Sequence, residues 1–211
     1  LFRSSKRTQE HRELLILMTP QILMNNAGQA VTTDALSFPR DQLDKSGIKT
    51  GIKVKYEDPK SVGADRIADA VAVMYQYGGP ACVIDFGTAT TFNAITKEGE
   101  YLGGAITAGI NLAAEALFAR AAKLPRIDLQ RPPNVIGRNT THAMQSGLLF
   151  GYVSMVEGMV ARFRVELGED MKVIATGGLA EVVAKETPVI GIIAPWLTLD
   201  GLRIIWDLNR A

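Results

Sequence analysis

The sequence predicts an α/β fold built on a mixed sheet, and three observations carry that prediction. Residues 81–86, 91–96 and 101–106 are β-favouring runs separated by two short turns, Gly87-Thr88-Ala89-Thr90 and Lys97-Glu98-Gly99-Glu100, which makes them an antiparallel meander. Beyond residue 106 helical and strand-like segments alternate to the last residue, a pattern that adds strands to a sheet through crossovers. The chain has 211 residues, 47% apolar and 21% charged, enough to bury a core without disulfides or metals and to form one large domain or two small ones.

Taken in order, residues 1–58 show little periodicity. They open on a basic, polar stretch, continue in an apolar run broken by Pro20, and turn at Asn25-Asn26-Ala27-Gly28. Residues 65–77 predict a helix, because Ile67, Val71 and Met74 fall at i, i+4 and i+7 and Gly78-Gly79-Pro80 stops it, so Asp65 and Arg66 stand at a helix start. After the meander come a helix over 108–123, a Pro-rich loop over 125–133, and a long helix from Asn139-Thr140 to 167. Strands are expected at 171–175 and 189–193, the first closed by Thr176-Gly177-Gly178 and a short helix, and a final helix at 199–209. Gly147, Gly151 and Gly158, with Ser154 between them, mark a face of the long helix that something approaches closely. Either a helix of the same chain or a second copy of the chain meets that requirement.

Several functional classes are excluded at this level. Lys plus Arg is 23 and Asp plus Glu is 22, a formal charge of +1, without the excess of positive charge that marks nucleic-acid or membrane-surface binding. No run reaches the length of a membrane span and no secretory leader is recognisable, so a cytoplasmic setting is expected. The chain begins with Leu rather than Met, so its natural start is expected upstream. The lone cysteine, Cys82, lies in an apolar run and reads as a buried, inert thiol. One Cys and two distant His residues cannot assemble a zinc site. His11 is expected to be solvated and His142 to sit half-exposed in a first helical turn; Trp196, Trp206, Met144, Met155 and Met159 are expected in the core.

Three constellations carry chemistry. In Asp85-Phe86-Gly87-Thr88-Ala89-Thr90 an acid at a strand end precedes a Gly-Thr turn whose backbone N–H groups can face an anion, which reads as a phosphate-and-cation site or as a hairpin whose Asp bonds its own turn. No P-loop pattern occurs. Gly63-Ala64-Asp65-Arg66 sets a carboxylate beside a guanidinium at a helix start. The pair is either a surface cap or a general base with a fork for a substrate carboxylate. Thr176-Gly177-Gly178 lets backbone pack against a flat ring or a phosphate, or simply opens a helix.

Together with Gly103-Gly104-Ala105-Ile106-Thr107-Ala108-Gly109 and Gly137-Arg138-Asn139-Thr140, these motifs closely resemble type III pantothenate kinase from about Gly47 onward. The resemblance implies a ribonuclease-H-like, actin-like ATPase fold: two related halves around a nucleotide cleft, here residues 1–62 as the remainder of the first half and 63–211 as the second, with its dimerisation helix. It implies a homodimer that phosphorylates pantothenate with ATP, Mg²⁺ and a monovalent cation, K⁺ or NH₄⁺, in the first step of coenzyme A synthesis. By matching position it makes Asp65 the catalytic base and Tyr56, Gly63, Ala64, Asp65, Arg66 and Thr140 substrate contacts. It assigns Thr88, with Gly87, Gly177 and Gly178, to ATP, and Asp85 to the monovalent cation. The family's first phosphate strand, Asp-x-Gly-Asn-Thr, does not occur in these residues and is expected just upstream of Leu1, since Arg3-Ser4-Ser5-Lys6-Arg7-Thr8 resembles the basic stretch that succeeds that strand in the family. The alternative reading, from another functional class, is a non-catalytic relative that keeps the fold as a ligand sensor or interaction module.

Overall fold

The computed structural model describes residues 49–121 and 124–210; the expectations for residues 1–48, His11 included, lie outside the described residues. Its elements in chain order are β1 (Lys53–Val54), a 3₁₀ turn (Pro59–Ser61), α1 (Ala64–Gln76), β2 (Ala81–Phe86), β3 (Ala89–Ile95), β4 (Glu100–Ala108), α2 (Ile110–Arg120), α3 (Thr140–Leu167), β5 (Lys172–Thr176), α4 (Ala180–Ala184), β6 (Ile192–Ile193) and α5 (Leu197–Asn209). The described residues form two units. One comprises 49–52, Tyr56–Tyr77 and 196–210, the other Lys53–Lys55 and Gly78–Pro195.

The first unit is a helix pair. Alanine and valine make α1 a narrow rod, buried continuously from Ile67 through Val73, while Met74, the last residue of the i, i+4, i+7 spacing, is half-buried. The apolar stripe of α5 is Leu197, Gly201, Ile204 and Ile205, the i, i+4, i+7, i+8 spacing of one helix face. The two helices approach so closely that a side chain at Gly201 would meet the backbone of Ala68. Thr198 Oγ1 donates to the buried Asp69 Oδ1 at 2.6 Å, and Asn209 both accepts from Lys49 N (2.7 Å) and donates to Lys49 O (2.8 Å). Trp196 corrects the sequence reading, since it is 57% exposed. It precedes the apolar stripe by one residue and falls in line with Asp200, Arg203 and Asp207, the charged face, where Arg203 pairs with both carboxylates. Trp206, one residue past the stripe, is half-buried.

The second unit holds a six-stranded sheet in the order β1-β4-β3-β2-β5-β6. β3 is antiparallel to β2 and β4, and every other neighbouring pair is parallel, so β3 alone runs against the rest. This is the mixed, ribonuclease-H-like sheet expected: a meander extended beyond its first strand by parallel strands. The core lies on one face. Cys82, Ile84 and Phe86 of β2 alternate inward with Phe92, Val173 and Ala175, against Leu149, Tyr152, Val153, Val156 and Val160 of α3. Each fully buried large aliphatic side chain contributes about 1.5–3 kcal/mol here. Burial pushes the Cys82 thiol up to about 12, as an inert core cysteine requires. Met144 is buried, and Met155 and Met159 pack against this core.

Expected boundaries shift by a few residues. α2 begins at Ile110 rather than 108, because β4 continues to Ala108 and Gly109 caps the helix. β6 is two residues long, against an expected five from 189 to 193. α3 matches its expected span from Thr140 to Leu167 and holds the Pro-rich loop in place, with Gln145 Nε2 donating to Asp128 O at 3.0 Å. Among the described residues nothing comes within 4 Å of a side chain placed at Gly147 or Gly151, so no helix of the described chain covers those positions. No helix among the described residues is long and apolar enough to cross a membrane.

Candidate functional site

β2 delivers Asp85 to the end of the sheet, in register with Thr91 on β3 and Thr176 on β5. The chain then turns through the exposed Gly87 and Thr88, where Gly87 N donates to Ala89 O at 3.1 Å. Two glycines from distant parts of the sequence close on this turn. Gly109 N donates to Thr88 O at 2.9 Å, and a side chain at 109 would come within 2.5 Å of the carbonyl oxygens of both Gly87 and Thr88. Gly177 has φ +89, in the region that favours glycine, and a Cβ there would lie 2.5 Å from Asp85 Oδ1 and 2.7 Å from Phe86 N and O. Gly178 comes next and is exposed. Asp85, Gly87, Thr88, Gly177 and Gly178 therefore gather at one end of the sheet, as the sequence motifs imply.

Behind the turn, Thr90 and Tyr152 share a hydrogen bond between their buried hydroxyls, and the Phe86 and Tyr152 rings pack at 6.2 Å and 52°. Burial raises the Tyr152 pKa above its ordinary value. The Thr90 bond works against that rise, and the Asp85 charge adds to it.

Thr140 opens α3, where Asn139 caps the helix by accepting from His142 N at 2.8 Å; His142 is half-exposed in this first turn, as expected. Thr140 lines an open cavity of about 730 Å³ with Leu117, Leu124, Arg138, Asn139 and Met144. None of Asp85, Gly87, Thr88, Gly177 or Gly178 lines that cavity.

The remaining predicted residues belong to the first unit. Gly63 is the N-cap of α1 and Asp65 is the acidic residue of its first turn, exposed to solvent. The Asp65 carboxylate folds back over Gly63, so a side chain at 63 would collide with Oδ1. Arg66 is half-buried, and its Nε is buried without a hydrogen-bond partner among the described residues. That leaves an unsatisfied donor beside an exposed carboxylate among the described residues. Tyr56 is 39% exposed.

Among the described residues no group of three or more His, Cys, Asp and Glu could hold a metal. The Asp85 carboxylate and the Phe86 backbone lie against Gly177.

A family model described as type III pantothenate kinase matches residues 3–162. A type III pantothenate kinase of Moorella thermoacetica is 55% identical over 163 residues, 77% of this chain and 64% of the relative. One of Myxococcus xanthus is 54% identical over 165 residues, 78% of this chain and 64% of the relative. The chain belongs to the type III pantothenate kinase family. Its matched part spans 64% of the length of these relatives. The family match includes Tyr56, Asp65, Arg66, Asp85, Thr88 and Thr140 and stops short of Gly177. A solved structure from Campylobacter jejuni, titled a conserved putative Baf family transcriptional activator, shares the fold at 22% identity and a TM-score of 0.54, over 71% of this chain and 66% of that one.

Sequence reasoning assigned no role to Gly109, Thr90 or Tyr152. Gly109 stands in one of the glycine motifs, but its partner is 21 residues away and across a strand pair, which no local pattern reveals.

Proposed function

We propose that the protein transfers the γ-phosphoryl group of ATP to the primary hydroxyl of pantothenate, giving 4′-phosphopantothenate and ADP, the first step of coenzyme A synthesis. The observation that supports this reading is the start of α1, where an exposed carboxylate, Asp65, adjoins Arg66, whose buried Nε has no hydrogen-bond partner among the described residues. Pantothenate offers a carboxylate for the guanidinium and a hydroxyl for the base.

In the forward step the hydroxyl oxygen forms a bond to the γ-phosphorus, the bond from that phosphorus to the β,γ-bridging oxygen breaks, and ADP leaves. Asp65 accepts the hydroxyl proton. Phosphoryl transfer passes through a loose transition state, so a carboxylate of ordinary strength suffices and positioning dominates. Arg66 orients pantothenate through its carboxylate, with Tyr56, Gly63, Ala64 and Thr140 as further contacts. The turn Gly87-Thr88, backed by Gly177 and Gly178, presents backbone to the ATP phosphates. Asp85 would hold the monovalent cation, K⁺ or NH₄⁺, and Mg²⁺ would ride on the phosphates; when bound, these ions offset negative charge on the transferring group.

A second copy of the chain is the proposed cover for the Gly147 and Gly151 face of α3, where no described residue lies within 4 Å of a side chain placed at either position. Light scattering at micromolar concentration then reads a dimer, and a monomer contradicts this part. The activity itself is tested by incubating the full-length protein with γ-labelled ATP and pantothenate. Label in 4′-phosphopantothenate is expected, and label confined to ATP and inorganic phosphate would refute the reading.

A further inference from the structure

We propose that Tyr152 is a positioning residue for nucleotide: through Thr90, its buried hydroxyl sets the shape of the turn after Asp85 and thereby the affinity for ATP. The inference rests on the reading of that turn as the phosphate grip. α3 reaches the turn from behind through one side chain that touches both of its ends. The Tyr152 ring packs on Phe86, the residue before Gly87, and its hydroxyl bonds Thr90, the residue that pairs with Phe86 across the hairpin. Thr90 is fully buried and Tyr152 is 8% exposed, so each hydroxyl depends on the other for its partner.

Removing one hydroxyl leaves the other buried and unsatisfied. Thr90 pairs with Phe86 across the hairpin and stands two residues past Thr88, so a displacement of its side chain is passed through the backbone to the turn. Gly109 abuts the turn's carbonyls, and Gly177 abuts the Asp85 carboxylate and the Phe86 backbone; neither touches Thr90 by these contacts. Burial also keeps the phenol protonated, so the pair persists throughout the range in which a kinase works. Tyr152 itself touches no substrate. Its effect passes through Thr90.

The test compares wild type, Tyr152→Phe, Thr90→Val, the double variant and Thr90→Ser in the full-length protein. Binding of a non-hydrolysable ATP analogue is measured by calorimetry, and KM is determined separately for ATP and pantothenate. Tyr152→Phe and Thr90→Val should each weaken nucleotide binding roughly 5- to 30-fold and raise the KM for ATP while leaving that for pantothenate within about twofold. The double variant should be no worse than either single one, because the two hydroxyls act as a unit. Thr90→Ser, which keeps the hydroxyl, should bind as wild type. Normal ATP affinity in Tyr152→Phe overturns the inference, as does a parallel rise in both KM values, the mark of general structural damage. Should Tyr152→Phe not fold, Thr90→Val against Thr90→Ser decides the question by the same criterion. A wild-type protein that binds no nucleotide overturns the phosphate-grip reading and this inference with it. Wild-type binding with an unaffected Tyr152→Phe variant overturns this inference alone.

Discussion

The turn after β2 and the start of α1 are both short glycine-bearing stretches with a carboxylate beside them, yet they are built in opposite ways. The turn is over-determined. Gly109 bonds and abuts it from one side, Gly177 from another, and the Thr90–Tyr152 pair closes it from behind. The start of α1 is open: Gly63 offers no side-chain cap, Asp65 is exposed, and Arg66 Nε is buried without a hydrogen-bond partner among the described residues. Backbone packing suits a grip on phosphates, which every turnover presents in the same form. Unsatisfied side chains suit a site whose groups are completed by the substrate itself.

That contrast predicts where substitutions act. The largest effect is expected at the open end: Asp65→Asn should lower kcat by a factor of roughly 10² to 10⁴ while ATP affinity changes little, as read from initial rates and analogue binding. Next come the two glycines that adjoin a carboxylate. Gly177→Ala forces a left-handed backbone onto alanine and a methyl group onto Phe86, so chemical unfolding should show a loss of about 2–4 kcal/mol. Gly63→Ala meets only the movable end of the Asp65 side chain and should cost under about 1 kcal/mol of stability, yet it should reduce turnover by displacing that carboxylate. Equal losses of stability at the two glycines would erase the distinction.

Asp85→Ala should flatten the dependence of rate on K⁺ or NH₄⁺, seen in a titration of each ion at saturating ATP; an unchanged activation curve would move the cation elsewhere. The smallest effect concerns Tyr152. Because the Asp85 charge raises its pKa, Asp85→Asn should let the phenol ionise at lower pH in an ultraviolet titration, while wild type stays protonated beyond the ordinary value of 10.0. The raised pKa has a thermodynamic sign as well. It contributes stability below that ordinary value, and the contribution fades as pH climbs through the higher folded-state value.

Much of the fold was legible because its signals are local. The alternation of Cys82, Ile84 and Phe86, the i, i+4 spacing around Ile67 and Val71, and Asn139 ahead of a long apolar helix each report their own element within a few residues. What stayed hidden depends on partners distant in sequence. β1, only two residues long, exists because Lys53 and Val54 pair with Glu100 and Tyr101, and nothing in two residues announces that. Trp196 looked like core by its chemistry and lies outside because helix phase, not hydrophobicity, placed it with the charged residues of α5. At the candidate site the motif glycines were visible, but the convergence of Gly109 and Gly177 on one turn, and the single tyrosine 62 residues beyond Thr90 that backs it, emerge only once the sheet is formed.

The central claim is that Asp65 serves the acceptor alcohol while the turn after Asp85 serves the nucleotide. A coupled ADP-release assay on the full-length protein, run with and without pantothenate for wild type and Asp65→Asn, tests it most directly. The account predicts ADP release by wild type that depends on pantothenate and nearly vanishes in Asp65→Asn. Release at the same rate without pantothenate, or undiminished in the variant, would contradict it.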